Sequence, residues 1–436
     1  MIIPFSMSDQ TIAVLGLSRS GQATVKALVA AGAKVFAYDD RDIPSLDPAV
    51  QVSPPESWPW DQLDALVMSP GIPHLHPKPH AAAEMARAKK VEIISDIEVL
   101  MRAQPKAKRV GITGTNGKST VVTLIDHLLN MSGVKTALGG NIGRAALDLD
   151  DPGQDGVIIL ELSSYQLETT PSLCLDAGAV INITPDHLDR HGGWQGYVAA
   201  KANLVKAINL SGLTVLGAEG AVTTLAEHAV SKLVMADQNM TPKTAKSPDL
   251  QGPHNALNTA IAMEICQHLG VDRDALIAAL PQYRGLPHRM EKVGQIGDIR
   301  FINDSKATNG DAAAEALKSF QDIYWIAGGD AKDGGIGVAA QHLDHVRRAY
   351  LIGASAQDFA TQIATACPVQ ISGTLDRATA SALHDAQSDH CPNATILLSP
   401  AAASFDQFKN FEDRGHIFRQ IVDGLTTPVV MEGTHD

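Results

Sequence analysis

The chain has few of the residues that several protein classes require. Four cysteines in 436 residues (Cys174, Cys266, Cys367 and Cys391) stand far apart, with no CxxC. That opposes a disulfide frame and a thiolate zinc site, and it fits a reducing compartment. Basic residues are in deficit, 35 Lys plus Arg against 48 Asp plus Glu, for a formal net charge of −13. Nucleic acid and anionic membrane are therefore not expected as partners, and any phosphate site must be locally basic. No apolar run reaches about 18 residues, so no membrane-spanning helix is expected. The opening MIIPFSM is too short and too uncharged to read as a signal peptide, and the expected location is the cytoplasm. Aromatics make up only 4%. The abundance of Ala, Val, Ile and Gly instead suits an α/β protein, and the length suggests two to four domains of roughly 100–200 residues.

The most informative stretch present is Gly111–Thr120, GITGTNGKST. A polar lead-in, Lys106–Arg109, runs into Val110 just before it, where a strand is expected. After it, Val121, Leu124, Ile125, Leu128 and Leu129 fall at helical spacing. A glycine turn between a strand and a helix N-terminus is an anion cradle, because backbone N–H groups and the helix dipole converge there. Lys118 would reach the outer phosphates, and Ser119 or Thr120 would offer a hydroxyl to Mg²⁺. The glycine spacing is irregular. The general phosphate-loop pattern wants glycine at position 112, which is Ile112; the glycines are Gly111, Gly114 and Gly117.

Residues 11–38 read strand, turn, helix, strand, with the turn over Gly16–Gly21 and the helix over QATVKALVAAG. This is a mononucleotide-binding βαβ pattern, but Ser18 stands where GxGxxG has its middle glycine. A dinucleotide is therefore disfavoured, and a different diphosphate near Ser18, Arg19, Ser20 and Asp39 is expected. A further strand runs into Ser69-Pro70-Gly71 at its carboxyl end. The loop HLHPKPH carries His74, His76 and His80, yet three prolines (Pro77 and Pro79 within it, Pro73 just before) and no carboxylate argue against a metal site.

Further on, GVIILELSSYQLE is a buried strand ending in Glu161, a carboxylate placed for Mg²⁺ beside the phosphate loop. AGAVINITPDHLDRHGGW is a strand followed by a loop where Asp186 and His187 are candidates to join that metal, with His191 read as a surface residue. GYVAAKANLVKAINL reads as a helix, on which Lys201 looks like a solvated side chain. Asn255 and Asn258 share a helix face, either as caps or as base contacts. A Pro/Gly-bearing linker near residue 285 precedes a third run of strands, polar loops and helices. The expected fold class is α/β with mostly parallel sheets: a Rossmann-like domain over 1–100, a central P-loop domain over 101–285 and a Rossmann-like domain over 286–436.

Taken together, TGTNGKST, ELSSYQLE, DHLDRH, GPHNALN, LPHRME, NDSKATN and AGGDAKDGG resemble the Mur ligases, in that family's order and over nearly the whole chain. These are ATP-dependent amide-forming enzymes of peptidoglycan precursor synthesis. LSPAAASFDQFKNFEDRG, with NDSKATN and ELSSYQLE, is most similar to the branch that adds D-glutamate. The resemblance implies ATP at Gly114, Thr115, Asn116, Gly117, Lys118, Ser119, Thr120, Asn255, Asn258, Arg289 and Asp304, with Asp304 on the ribose. It implies two Mg²⁺ ions at Ser119, Glu161, His187 and Lys201, where Lys201 matches a carbamylated lysine. Lys118, His187 and Lys201 would serve the chemistry. UDP-N-acetylmuramoyl-L-alanine would lie on Ser18, Arg19, Ser20, Asp39, Arg41, Ser69, Gly71 and Asn141. D-Glutamate would lie near Lys306, Thr308, Lys332, Ser404 and Phe411. A monomer is expected. The irregular glycine spacing is the form this family uses.

Overall fold

A computed structural model describes residues 1–41, 45–241, 247, 250, 252–331 and 335–426. The chain divides into two compact units. One is formed by Met1–Lys246 with Asn255–Gln282, the other by Ser247–His254 with Tyr283–Asp436.

The first unit holds two sheets. In one, β1 (Thr11–Leu15), β2 (Lys34–Tyr38), β3 (Gln51–Val52), β4 (Ala65–Met68) and β5 (Glu92–Ile94) lie in the order β3-β2-β1-β4-β5. All pairs are parallel. In the other, β6 (Lys108–Thr113), β7 (Thr136–Gly140), β8 (Val157–Glu161), β9 (Leu175–Val180), β10 (Ile208–Gly217) and β11 (Lys232–Ala236) lie in the order β11-β10-β9-β6-β8-β7. These too are parallel throughout. Parallel strands covered on both faces must be apolar along their length, and β4 and β8 are buried at every position. One apolar core runs through both sheets, joined by Ile97, Val99 and Leu100 of the helix Asp96–Arg102 and by Ala145–Leu149.

The second unit has β12 (Glu291–Ile296), β13 (Ile299–Asn303), β14 (Ile323–Gly328), β15 (Val346–Ile352), β16 (Val369–Gly373) and β17 (Thr395–Leu398) in the order β12-β13-β17-β14-β15-β16. Only β12 runs antiparallel to its neighbour. Two apolar clusters line opposite faces of this sheet. Trp325 lies in one, Tyr324 and Tyr350 in the other.

Two element boundaries differ from the sequence reading. The first helix begins at Arg19 rather than Gln22, so Arg19, Ser20 and Gly21 are helical and only Gly16–Ser18 turns the chain. The helix carrying Lys201 stops at Lys206, and Ile208–Leu210 already belong to β10. A short helix ahead of that linker, Arg273–Ala279, was not read from the sequence.

Candidate active site

Strand register sets the site. Ile112 and Gly140 both pair with Glu161, and Thr113 pairs with Val180. The loops after β6, β7, β8 and β9 therefore leave one carboxyl edge side by side, where open parallel sheets bind ligands.

The loop after β6 turns into the helix Lys118–Met131 through Gly117, whose φ is +87°. A Cβ there would stand 2.6 Å from Asn258 Oδ1, so glycine is required twice over. The N–H groups of Thr115 and Asn116 donate to Asn182 Oδ1 at 3.0 and 2.9 Å. Those of the first helical turn lie at the helix N-terminus, the kind of end that attracts an anion. Lys118 Nζ donates to Gly114 O at 2.8 Å and Thr115 O at 2.9 Å, which places its charge within the turn.

Glu161 is buried at the end of β8. It accepts from Ser119 Oγ at 2.5 Å on one oxygen and from Asn141 Nδ2 at 2.8 Å on the other. The close approach of β7 makes this possible: Gly140 has φ +99°, and an added Cβ would fall 2.5 Å from Glu161 O. Three expected site residues, Ser119, Asn141 and Glu161, are thus in direct contact. Glu161 and Ser119 offer paired oxygens, the ligand type a hard cation takes. Among the described residues no three His, Cys, Asp or Glu side chains gather closely enough to hold a metal alone. This donor set fits a Mg²⁺ that completes its shell with water and phosphate oxygens.

Lys201 overturns its reading as a solvated side chain, being only 2% exposed. Its Nζ lies 3.4 Å from Thr113 Oγ1 and 4.7 Å from the centre of the Tyr197 ring. Burial pushes its pKa well down, and the Lys118 ammonium adds to this against a smaller opposing pull from Asp186. The Tyr197 hydroxyl bonds Thr115 Oγ1 at 3.0 Å, and burial pushes its phenol up to about 12. His187 is in the left-handed region at φ +53°, with its N–H donating to Asp186 Oδ1 at 3.0 Å and its ring 5.4 Å from that of Tyr165.

His191, expected on the surface, is buried. Both its ring nitrogens are engaged, with Glu168 Oε1 at 2.8 Å and Ser164 Oγ at 2.9 Å. In the loop HLHPKPH, His80 caps a helix by accepting from Ala82 N, His74 faces Glu168, and the His76 ring packs against Gly192. Asn255 and Asn258 are bonded to each other at 3.1 Å inside the helix Pro253–His268. Asn258 abuts the phosphate loop, so neither serves as an N-cap.

In the first sheet, Leu15 pairs with both Tyr38 and Met68, which brings the Gly16 turn beside Asp39 and Ser69. Ser69 Oγ donates to Gly16 O at 3.0 Å. Burial raises the Asp39 carboxyl, but N–H groups of Leu17 and Arg41 and the Arg41 charge outweigh it and hold it below the usual range. Ser18 and Arg19 are exposed at the start of the helix Arg19–Ala31.

In the second unit, Asp304 lies at the carboxyl end of β13. It accepts from Ser399 Oγ at 2.8 Å and from Met290 N, next to Arg289, at 3.2 Å. Burial pushes its carboxyl up to about 6 despite those bonds. Lys306 lies 3.8 Å from the Phe411 ring centre. Ser404 is buried in the loop beyond β17, while Thr308 is half-buried in the loop after β13. Lys332 lies outside the described residues. Sequence reasoning missed Arg414, a fully buried guanidinium that donates to Ser305 Oγ and to the carbonyls of Ser305, Ala402 and Ala403. Asn182 and Tyr197 were missed too. Only their position after a strand, or one helical face from Lys201, hinted at them.

The model of the Mur ligase middle domain matches residues 112–246, and that of the Mur ligase glutamate ligase domain matches 288–402. UDP-N-acetylmuramoylalanine--D-glutamate ligase from Rhizobium johnstonii is 42% identical over 98% of both chains. The same-named proteins of Paramagnetospirillum magneticum and Brucella abortus are 41% and 40% identical, over 96% and 99% of this chain and 97% and 100% of theirs. Among solved structures, UDP-N-acetylmuramate-alanine ligase from Thermotoga maritima superposes with a TM-score of 0.59 at 16% identity, over 95% of this chain and 99% of its own. MurF from Acinetobacter baumannii does so with 0.59 at 17%, over 96% and 92%. The three-domain α/β fold is shared with both. Similarity of this depth extends from the first sheet to the last, and the chain belongs to the Mur ligase family.

Proposed function

We propose that this protein is an ATP-dependent ligase that adds D-glutamate to UDP-N-acetylmuramoyl-L-alanine, releasing ADP and phosphate, in peptidoglycan precursor synthesis. The observation that carries the reading is the Ser119–Glu161–Asn141 contact at the lip of the phosphate loop. The relatives named above, at 40–42% identity over nearly full length, support the choice of amino acid.

The substrate's terminal carboxylate attacks the γ-phosphorus of ATP, which gives an acyl phosphate and ADP. The amine of D-glutamate then attacks the acyl carbon, and phosphate leaves through a tetrahedral intermediate. The first-turn N–H groups after Gly117 and the Lys118 ammonium hold the transferring phosphoryl group. Asn141, fixed by Glu161, orients the acyl end of the UDP-substrate. Holding the reactants in line supplies on the order of 7–11 kcal/mol of the barrier. Mg²⁺, held by Ser119 and Glu161 with a second ion at His187 and Lys201, would offset charge on the phosphates.

Burial lowers the Lys201 pKa well below its ordinary value, which favours the neutral amine, the form that takes up CO₂. An N–C bond forms and a proton leaves, giving an anionic carbamate whose oxygens suit Mg²⁺. The repulsion from Lys118 becomes attraction. Asn255, Asn258, Arg289 and Asp304 are assigned to the nucleoside, and Lys306, Thr308, Lys332, Ser404 and Phe411 to D-glutamate. Ser18, Arg19, Ser20, Asp39, Arg41, Ser69 and Gly71 are assigned to the UDP moiety. We place the enzyme in the cytoplasm as a monomer. Among the described residues no helix is long and apolar enough to cross a membrane.

The test is phosphate release on incubation with ATP, UDP-N-acetylmuramoyl-L-alanine and, in turn, D-glutamate, L-glutamate, L-alanine and diaminopimelate. Release that requires D-glutamate supports the assignment. Release with another amino acid, or none at all, overturns it.

A further inference from the structure

The turn Leu188–His191 follows His187 in the chain and is braced from below. His191 is bonded through both ring nitrogens, and Tyr165 stacks on its face with centroids 5.3 Å apart and planes at 12°. Glu168 Oε1 to His191 and His191 to Ser164 Oγ is the order of an acid–histidine–serine relay. The imidazole is covered on its face and along its edges, however, so the set acts as a brace and not as a nucleophile.

Arg190 stands on that brace. Its guanidinium lies 4.4 Å from the Tyr165 ring centre and donates to Gly71 O at 3.1 Å and Pro70 O at 3.3 Å. Among the described residues it makes no ion pair, and its buried Nε has no hydrogen-bond partner. A cation spent on two backbone carbonyls must be orienting those peptides. In a trans peptide the C=O and N–H point in opposite directions. Fixing Pro70 O therefore turns the Gly71 N–H away from Arg190. That N–H has no acceptor within the described protein, unlike the next one, Ile72 N, which donates to Ser69 O at 3.0 Å. Gly71 is exposed, and an added Cβ would meet nothing within 4 Å, so a ligand can reach its backbone. A carbonyl bonded to a cation also polarises its own amide and strengthens the N–H as a donor.

We propose that Arg190 is a positioning residue that presents the Gly71 N–H to an oxygen of the UDP-substrate. It also ties that loop to the segment bearing His187. The inference rests on the proposed reading of Ser69 and Gly71 as UDP-substrate contacts.

The experiment compares full-length wild type with Arg190→Met, which keeps an apolar stem over Tyr165, and with Arg190→Lys. UDP-N-acetylmuramoyl-L-alanine binding is titrated calorimetrically without ATP, and KM values for both substrates, kcat and Tm are measured. Losing bonds to a charged donor should weaken UDP-substrate binding about tenfold to a hundredfold in Arg190→Met. KM for ATP should stay within about twofold and Tm within a few degrees. Arg190→Lys should recover part of the loss, since an ammonium can donate to both carbonyls without the planar fork. Unchanged UDP-substrate affinity overturns the inference, as does an equal loss for ATP, which signals general loosening. If Arg190→Met does not fold, Arg190→Lys decides: selectively weakened UDP-substrate binding supports the role, and wild-type binding overturns it. Wild type that does not bind the UDP-substrate removes the proposed function itself, which separates the two failures.

Discussion

Replacing Asp304 by Asn tests whether the proposed ribose contact is held at a cost in stability. The Asp304 carboxyl is fully buried and moves from an ordinary 3.8 to about 6, so the folded chain binds its proton more tightly than the unfolded one. Stability from this group is therefore fully present below about pH 4 and falls as pH rises towards 6, because the native state then holds the extra proton. At about 1.4 kcal/mol per tenfold, the gap corresponds to about 3 kcal/mol of lost stability at pH 8 and roughly half of that at pH 5. Asparagine keeps an oxygen for the Met290 N–H and can donate to Ser399 Oγ, but it does not titrate. Asp304→Asn should thus gain about 1–3 kcal/mol at pH 8 and progressively less towards pH 4, while ATP affinity drops. Hydrogen exchange of a β14 peptide, Ile323–Gly328, reads the stability of this unit without interference from the other. A gain that is the same at pH 8 and pH 5, or a loss at pH 8, would refute the reasoning.

Three further outcomes follow from the site. Lys201→Ala should lose nearly all ligation and regain part of it with millimolar acetate; full activity without additive would remove the carbamate role. Gly117→Ala forces a left-handed residue, costing about 1–2 kcal/mol, and drives its Cβ onto Asn258. KM for ATP should rise at least about tenfold with the fold intact by circular dichroism, and an unchanged KM counts against the loop geometry. Glu161→Ala leaves Ser119 and Asn141 without their shared acceptor, so the Mg²⁺ concentration needed for half-maximal rate should rise about tenfold or more. A Mg²⁺ curve matching wild type would discard Glu161 as a ligand.

The apolar runs that became β1, β4 and β8 were legible because buried parallel strands leave no polar face to confuse the period. The glycine turn of the phosphate loop was legible for the same local reason. Lys201 and His191 were not, because burial depends on what packs above a residue. A lysine among alanines on a helix reads as solvated until Tyr197 and Thr113 cover it. The Glu168–His191 pair joins residues 23 apart in the chain, and neither flanking sequence carries a trace of the other. The early start of the helix at Arg19 escaped notice because the serines and glycines around it, Gly16, Ser18, Ser20 and Gly21, read as turn formers. The family resemblance named Lys201 where spacing could not. Arg190 lies in DHLDRH and Arg414 in the last of the quoted stretches, yet the resemblance gave neither a role, because bonds to backbone carbonyls cannot be read from a motif.

Arg414 has an effect beyond its own loop. The chain is acidic overall, so at long range it repels an anion such as glutamate. Exposed cations that counter this weaken in salt, since screening sets in within about 8 Å at physiological ionic strength. Arg414 is enclosed by Ser305, Ala402 and Ala403, and every described bond it makes ends on a neutral oxygen. Its guanidinium is therefore closed off from mobile ions, and the carboxylates that act on it, Asp406 and Asp304, do so from beyond hydrogen-bond reach. The loop beyond β17 thus holds a cation whose bonds bulk salt weakens less than those of an exposed lysine or arginine, because ions cannot enter between it and the oxygens it binds.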